Sequence, residues 1–377
     1  MKKFLVSLIF LLMLFCGISS ADIVYSTSNG KIGFIKISSN SSGDVITFDG
    51  VKYSGSVTNP FLSSYRDKDD NNYVMLIDRL DSGDTVQRFP FNDLSSPVDS
   101  EPIFLTDVKG TTATAFSNNG RSLYFATPSG LIDIDTDTMT MKRQFDCTPK
   151  TSDDVAREVK GVAINGNRVL ALIDNQDDEY NDAVFMFDGQ LNTGVEAFSS
   201  FEGINNDMTS MTWINRRLAF TRSKGIDVLS GSTFTTVVST DAPVKSLQSD
   251  TGYGILYATQ SQSDDVYVDT LLHYTDDTSD FSTVTVNTSS SNLQLLRHDK
   301  VLAAILGDEI RFYNAEDGTL LNTFTSSQLG GSPVSMTIAY TGGTSKSDSS
   351  SSGCEVGSVR TIALIFLGMT FKLKRKK

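Results

Sequence analysis

Oxygen-bearing side chains alternate in one short run of this chain. Asp67, Asp69 and Asn71 stand two apart, and Asp78 follows eleven residues after Asp67. Calcium takes roughly six to eight oxygen ligands, and alternating Asp and Asn in a loop can converge them. These four residues are a candidate calcium site, weighed against a plain polar hairpin turn. The run departs from the EF-hand pattern twice. Asn72 stands where that loop needs glycine, and Asp78 replaces the closing glutamate inside an expected strand. A second acidic set, Asp174, Asp177 and Asp178, lies in segment 174–182 and is expected on the opposite face, so the two sets cannot form one site. Asp153, Asp154, Glu179, Asp182, Asp207, Asp264 and Asp265 extend the acidity into a candidate binding face, which would otherwise be only a solvated rim. The two histidines, His273 and His298, belong to no HExxH pattern, and the chain has no GxSxG, CxxC or P-loop. No catalytic set emerges.

The elements that must position these residues are short strands. In residues 111–147, apolar Ala113, Ala115 and Phe116 run into the turn Ser117-Asn118-Asn119-Gly120, where glycine is free to take positive φ. A second strand spans 123–127, and Pro128-Ser129-Gly130 turns the chain. Residues 131–135 alternate apolar and acidic, the period of a half-buried strand, and 139–145 complete the unit. Four antiparallel strands recurring down a chain make the blades of a β-propeller, because one blade cannot bury both its faces alone. Seven such units are expected. The first, at 23–48, shows only three strands, and residues 335–340 supply the missing innermost one. The fold class is thus all-β, a propeller of seven four-stranded blades closed by a C-terminal strand. A pair of β-sandwiches or a β-helix would use similar strands. The strand and turn pattern over residues 22–340 resembles the YVTN-type and lactonase-type propellers. Lactonase-type propellers hold a metal in the central channel, and that resemblance implies an envelope hydrolase as the alternative to a binding module. The long connections 91–101, 146–159, 174–182, 199–207 and 260–265 are expected to share one face and to carry binding.

Charge and the two ends bound the function further. The net charge is −13, which argues against nucleic acid as a partner. Residues 1–21 read as a signal peptide: Lys2-Lys3, an apolar core over 4–15, and Ser19-Ser20-Ala21 as the cleavage site, making Asp22 the mature N-terminus. Cys16 follows Phe15 rather than a small residue, which disfavours lipidation. With Cys16 removed, Cys147 and Cys354 remain, so the ring has no internal disulfide to form. Residues 341–353 form a Ser/Gly-rich linker. The segment 354–377 then runs through Cys354, an apolar stretch and a basic end at 372–377. Ser349 to Ser352, Gly353, Cys354, the apolar run and the basic end resemble the Synerg-CTERM tail of bacterial sorting signals. Only one glycine precedes the cysteine, and Arg360 interrupts the apolar run. The resemblance implies a sorting protease acting near Gly353 and Cys354, transient membrane contact through 356–371, and display at the cell surface. The expected function is an exported binding or protein-interaction module with an unidentified protein or carbohydrate ligand.

Overall fold

The computed structural model describes residues 21–340, apart from 41–42, 147–156, 166–167, 176–182, 189–193, 199–209, 215–216, 223, 231–232, 250–253, 264–265 and 275–282. The second strand of the second blade, Asn72–Asp78, shows why the chain folds as it does. Val74 and Leu76 pack toward the first blade, and Met75 and Ile77 toward the third. Side chains alternate across a strand, so an unbroken apolar run buries both faces at once. The second strands Ser122–Thr127 and Val301–Leu306 are buried along their whole length for the same reason.

The chain is a seven-bladed β-propeller of four-stranded antiparallel sheets. Blade 1 orders its strands Pro333–Tyr340, Ala21–Thr27, Lys31–Asn40 and Gly43–Ser54 from the inside outward. Blade 2 uses Pro60–Arg66, Asn72–Asp78, Asp84–Pro90 and Ile103–Leu105. Blade 3 uses Ala113–Phe116, Ser122–Thr127, Gly130–Asp135 and Met141–Asp146. Blades 4 to 7 begin with the inner strands Arg157–Asn165, Met211–Ile214, Val244–Ser249 and Leu293–His298. The expected closure is present: Ile23 pairs with Ile338, and Ala21 with Tyr340. Seven apolar clusters hold the ring, one at each interface between neighbouring blades. The interface of blades 7 and 1 includes Met336 and Ile338 from the closing strand.

Some boundaries differ from the sequence expectation. The outer strand of blade 1 runs over Gly43–Ser54, beyond the expected 44–48, because two bulges let it continue. Met139 stands in a turn with φ 54°, and the outer strand of blade 3 begins at Met141. The connection 91–101 joins the third and outer strands of blade 2, so it leaves from the face of the first-to-second hairpins, opposite the face expected for it. Of the expected connection 260–265, residues up to Ser263 belong to a strand.

Candidate functional site

The hairpin carrying Asp67 closes upon itself. The Asp67 Oδ1 accepts the backbone N–H groups of Asp69 and Asn71, each at 2.9 Å, and its Oδ2 accepts Asn71 Nδ2 at 2.9 Å. Burial alone would raise the Asp67 carboxyl, but the hydrogen bonds from Asn71, Asp69 and Tyr73 outweigh it and hold it below its ordinary value. Donor hydrogens aimed at these oxygens occupy the positions a cation would need. Asp78 stands at the other end of Asn72–Asp78, so the structure does not bring it to Asp67. Its Oδ1 accepts Thr58 N at 2.9 Å and Asn59 N at 2.7 Å, fastening the crossover from blade 1.

Asp78 occupies a repeated structural position. At or beside the end of other second strands, Thr27 accepts Lys31 N, Thr127 accepts Gly130 N and Thr221 accepts Ser210 N. Asp174 sits at that place in blade 4, nearly buried, with Lys160 at 3.6 Å. Lys160 is the extra residue of a bulge in the inner strand and also pairs with Glu158. Burial would lower the Lys160 ammonium, but Glu158 and Asp174 together raise it. Asp177, Asp178, Asp153, Asp154, Glu179, Asp182, Asp207, Asp264 and Asp265 lie outside the described residues. Among the described residues, no group of three acidic, histidine or cysteine side chains is arranged to hold a metal.

Buried hydroxyls and an amide on several inner strands join one blade to the next. Ser335 Oγ accepts Leu62 N at 3.0 Å, Thr337 donates to Ser64 at 2.9 Å, and Ser246 accepts Leu295 N at 3.0 Å. Gln294 exchanges two hydrogen bonds with the Met336 backbone. The seven inner strands carry one carboxylate, Glu158, and one histidine, His298, at opposite ends of the barrel. Glu158 is bound to Lys160, and burial pushes His298 below its ordinary value. That donor set does not fit a channel metal held by the inner strands.

A groove of about 960 Å³ opens between blades 1 and 2, on the face of the first-to-second hairpins. One wall is Asp22, Phe34, Lys36, Asp49 and Lys52; the other is 70–73 and 90–95. Asp49 and Lys52 are the extra residues of the two bulges in Gly43–Ser54. Asp49 accepts Lys36 at 3.0 Å and Lys52 at 3.2 Å, and the bond from Lys36 is the main cause of its lowered carboxyl. Burial pushes Asp22 up against the opposing pull of Lys36, with Asp49 adding to the rise. Phe34 and Phe91 meet edge to face at 5.8 Å beneath these groups. Sequence periodicity missed this groove because bulges shift the side-chain alternation that such reading relies on.

Fold and site together define a seven-bladed propeller whose inner strands are tied together by buried hydroxyl and amide hydrogen bonds. The chain matches no known protein family, and no curated protein matches it. It is similar to the structure of a candidate 6-phosphogluconolactonase from Bacteroides uniformis ATCC 8492, with a TM-score of 0.55 and 13% identity over 85% of this chain and 100% of that one. It is also similar to the dihydro-heme d1 dehydrogenase NirN, with a TM-score of 0.48 and 11% identity over 81% of this chain and 63% of that one. Apo AztD from Citrobacter koseri gives a TM-score of 0.47 and 8% identity over 90% of this chain and 100% of that one. At these identities the likeness is one of fold.

Proposed function

We propose that the chain is an exported propeller displayed at the cell surface, acting as a binding or protein-interaction module. The observation that carries this reading is the pairing of Asp22 with Ala339, which leaves the mature N-terminus beside the end of the closing strand. Asp22 and Tyr340, the ends of those two strands, therefore lie on one face of the ring, that of the first-to-second hairpins. A tail held at the membrane through 356–371 turns the opposite face outward. That face bears the between-blade and second-to-third connections, where the acidic residues cluster in sequence. The inner strands support binding over metal-dependent hydrolysis, since their one carboxylate, Glu158, and one histidine, His298, stand at opposite ends. Among the described residues no helix is long and apolar enough to cross a membrane, and 356–371 lies outside them.

In this reading a protease cleaves near Gly353 and Cys354, the apolar run is a transient stop, and the basic end stays inside. The test is fractionation of the full chain and of Cys354→Ala and Cys147→Ala variants, with mass spectrometry of the C-terminus. Wild type and Cys147→Ala should reach the surface without the tail, and Cys354→Ala should stay unprocessed in the inner membrane. A surface wild type that retains Lys377, or a Cys354→Ala variant sorted normally, would overturn the reading.

A further inference from the structure

We propose that the groove between blades 1 and 2 binds a neutral oligosaccharide. The inference is independent of export and concerns the face opposite the proposed binding loops. A volume of about 960 Å³ accommodates several sugar rings. The lining disfavours other ligand classes. An anion would meet Asp22 and Asp93, while Lys36 and Lys52 already share Asp49. A bare cation meets carboxylates already engaged: Asp49 holds both lysines, Asp70 lies 3.5 Å from Arg66, and Asp93 takes the Ser95 N–H and hydroxyl on one oxygen. An apolar ligand would find Phe34 and Phe91 packed against each other and buried, with polar groups above. What remains is a set of groups that both donate and accept, the chemistry that matches vicinal hydroxyls. Asn71 is pre-oriented, since its Nδ2 is fixed by Asp67. Asn92 stands exposed at the groove on the connection after blade 2's third strand. Across from them, the remaining Lys36 hydrogens and the Asp49 oxygens offer donors and acceptors from one ion pair, with Asp22 beside them in a nearly buried corner.

The test uses the full chain. Isothermal titration would probe hexasaccharides of β-1,4-glucose, β-1,4-N-acetylglucosamine, β-1,4-mannose and α-1,4-glucose, with a heparin hexasaccharide and hexalysine as charged controls. At least one neutral chain should bind saturably, and binding should persist in about 0.5 M salt, where exposed charges are screened. Asn92→Ala and Asp22→Asn should each weaken it by about tenfold. Asn92→Ala, an exposed change, should leave the melting temperature unmoved, and Asp107→Asn on the opposite face should leave affinity unchanged. The inference fails if no neutral chain binds, if only a charged control binds, or if neither groove variant alters affinity.

Discussion

Asp84 is fully buried and accepts four hydrogen bonds, from Leu80 N at 3.0 Å, Gly110 N at 2.8 Å, Thr111 N at 2.9 Å and the Thr111 hydroxyl. One carboxylate thus fastens the connection within blade 2 and the crossover into blade 3. Removing it strands three backbone donors, each costing about 1–3 kcal/mol when buried. Asp84→Ala should destabilise the ring by about 3 kcal/mol or more, and Asp84→Asn by less, measured by urea unfolding. Equal stability of Asp84→Ala and wild type would remove this role. Asp133 is the contrasting case. It is 2% exposed and its Oδ1 has no hydrogen-bond partner. Burial raises its carboxyl despite Ser122 and the nearby Lys142 and Arg143. A carboxyl raised by folding favours the neutral form, so its ionisation costs stability once pH rises through the folded value. Asp133→Asn should therefore raise the urea midpoint at neutral pH, and this gain should vanish below the ordinary carboxylate range. A gain of the same size at both pH values would show that ionisation is not its cause.

At the scale of elements, hairpins of neighbouring blades touch through Gly120. It has φ 67°, and a Cβ there would lie 2.3 Å from the Asp67 backbone carbonyl. The turn Ser117-Asn118-Asn119-Gly120 was readable from sequence, since glycine favours positive φ, but the approach of a second hairpin was not. Gly120→Ala should cost about 1–3 kcal/mol, the left-handed penalty plus the displaced backbone. A melting temperature equal to wild type would show that the two hairpins can separate without loss. Strand identity was also legible, because unbroken apolar runs such as Val74 to Ile77 fill two interfaces by simple alternation. The oxygens near Asp67 were legible as a cluster, but the structure does not bring Asp78 to them. Residue spacing does not reveal that the seven residues of Asn72–Asp78 run straight and carry Asp78 away. The closing strand was found by asking what the first blade lacked. It brings Met336 and Ile338 to an apolar interface and its hydroxyls to Leu62 and Ser64. Ending the chain at Gly330 should lower stability by about 5 kcal/mol, roughly the burial of two large side chains plus lost pairing. Urea unfolding of that truncation indistinguishable from the full ring would refute the closure as a source of stability.

The whole molecule is a circle whose joint lies inside a blade rather than between blades. A joint between blades would rest on side-chain packing and a few side-chain hydrogen bonds. Here the joint is a sheet, with Ile23 bonded along Ile338 and its neighbours, so opening the ring also breaks a ladder of backbone hydrogen bonds. The paired ends suggest a permutation that isolates this effect. A short linker from Tyr340 to Ala21 recreates the first-to-second hairpin that every other blade has. New ends can then be opened in either of two places. Cutting between Glu316 and Asp317 separates the third and outer strands of blade 7, so a strand still interlocks the ends. Cutting between Thr106 and Asp107 falls between blades 2 and 3, where the ends are joined by packing and by Asp84 reaching Gly110 and Thr111. Both permutants keep every interblade core, so composition and buried area are nearly constant. The first should match the uncut ring within about 1 kcal/mol. The second should be weaker by about 2 kcal/mol or more, because fraying one blade edge no longer requires breaking a shared sheet. Urea midpoints and the protection of inner-strand amides against hydrogen exchange would separate the two. If both permutants unfold at the same midpoint, the position of the joint is immaterial and the seven apolar interfaces alone hold the circle shut.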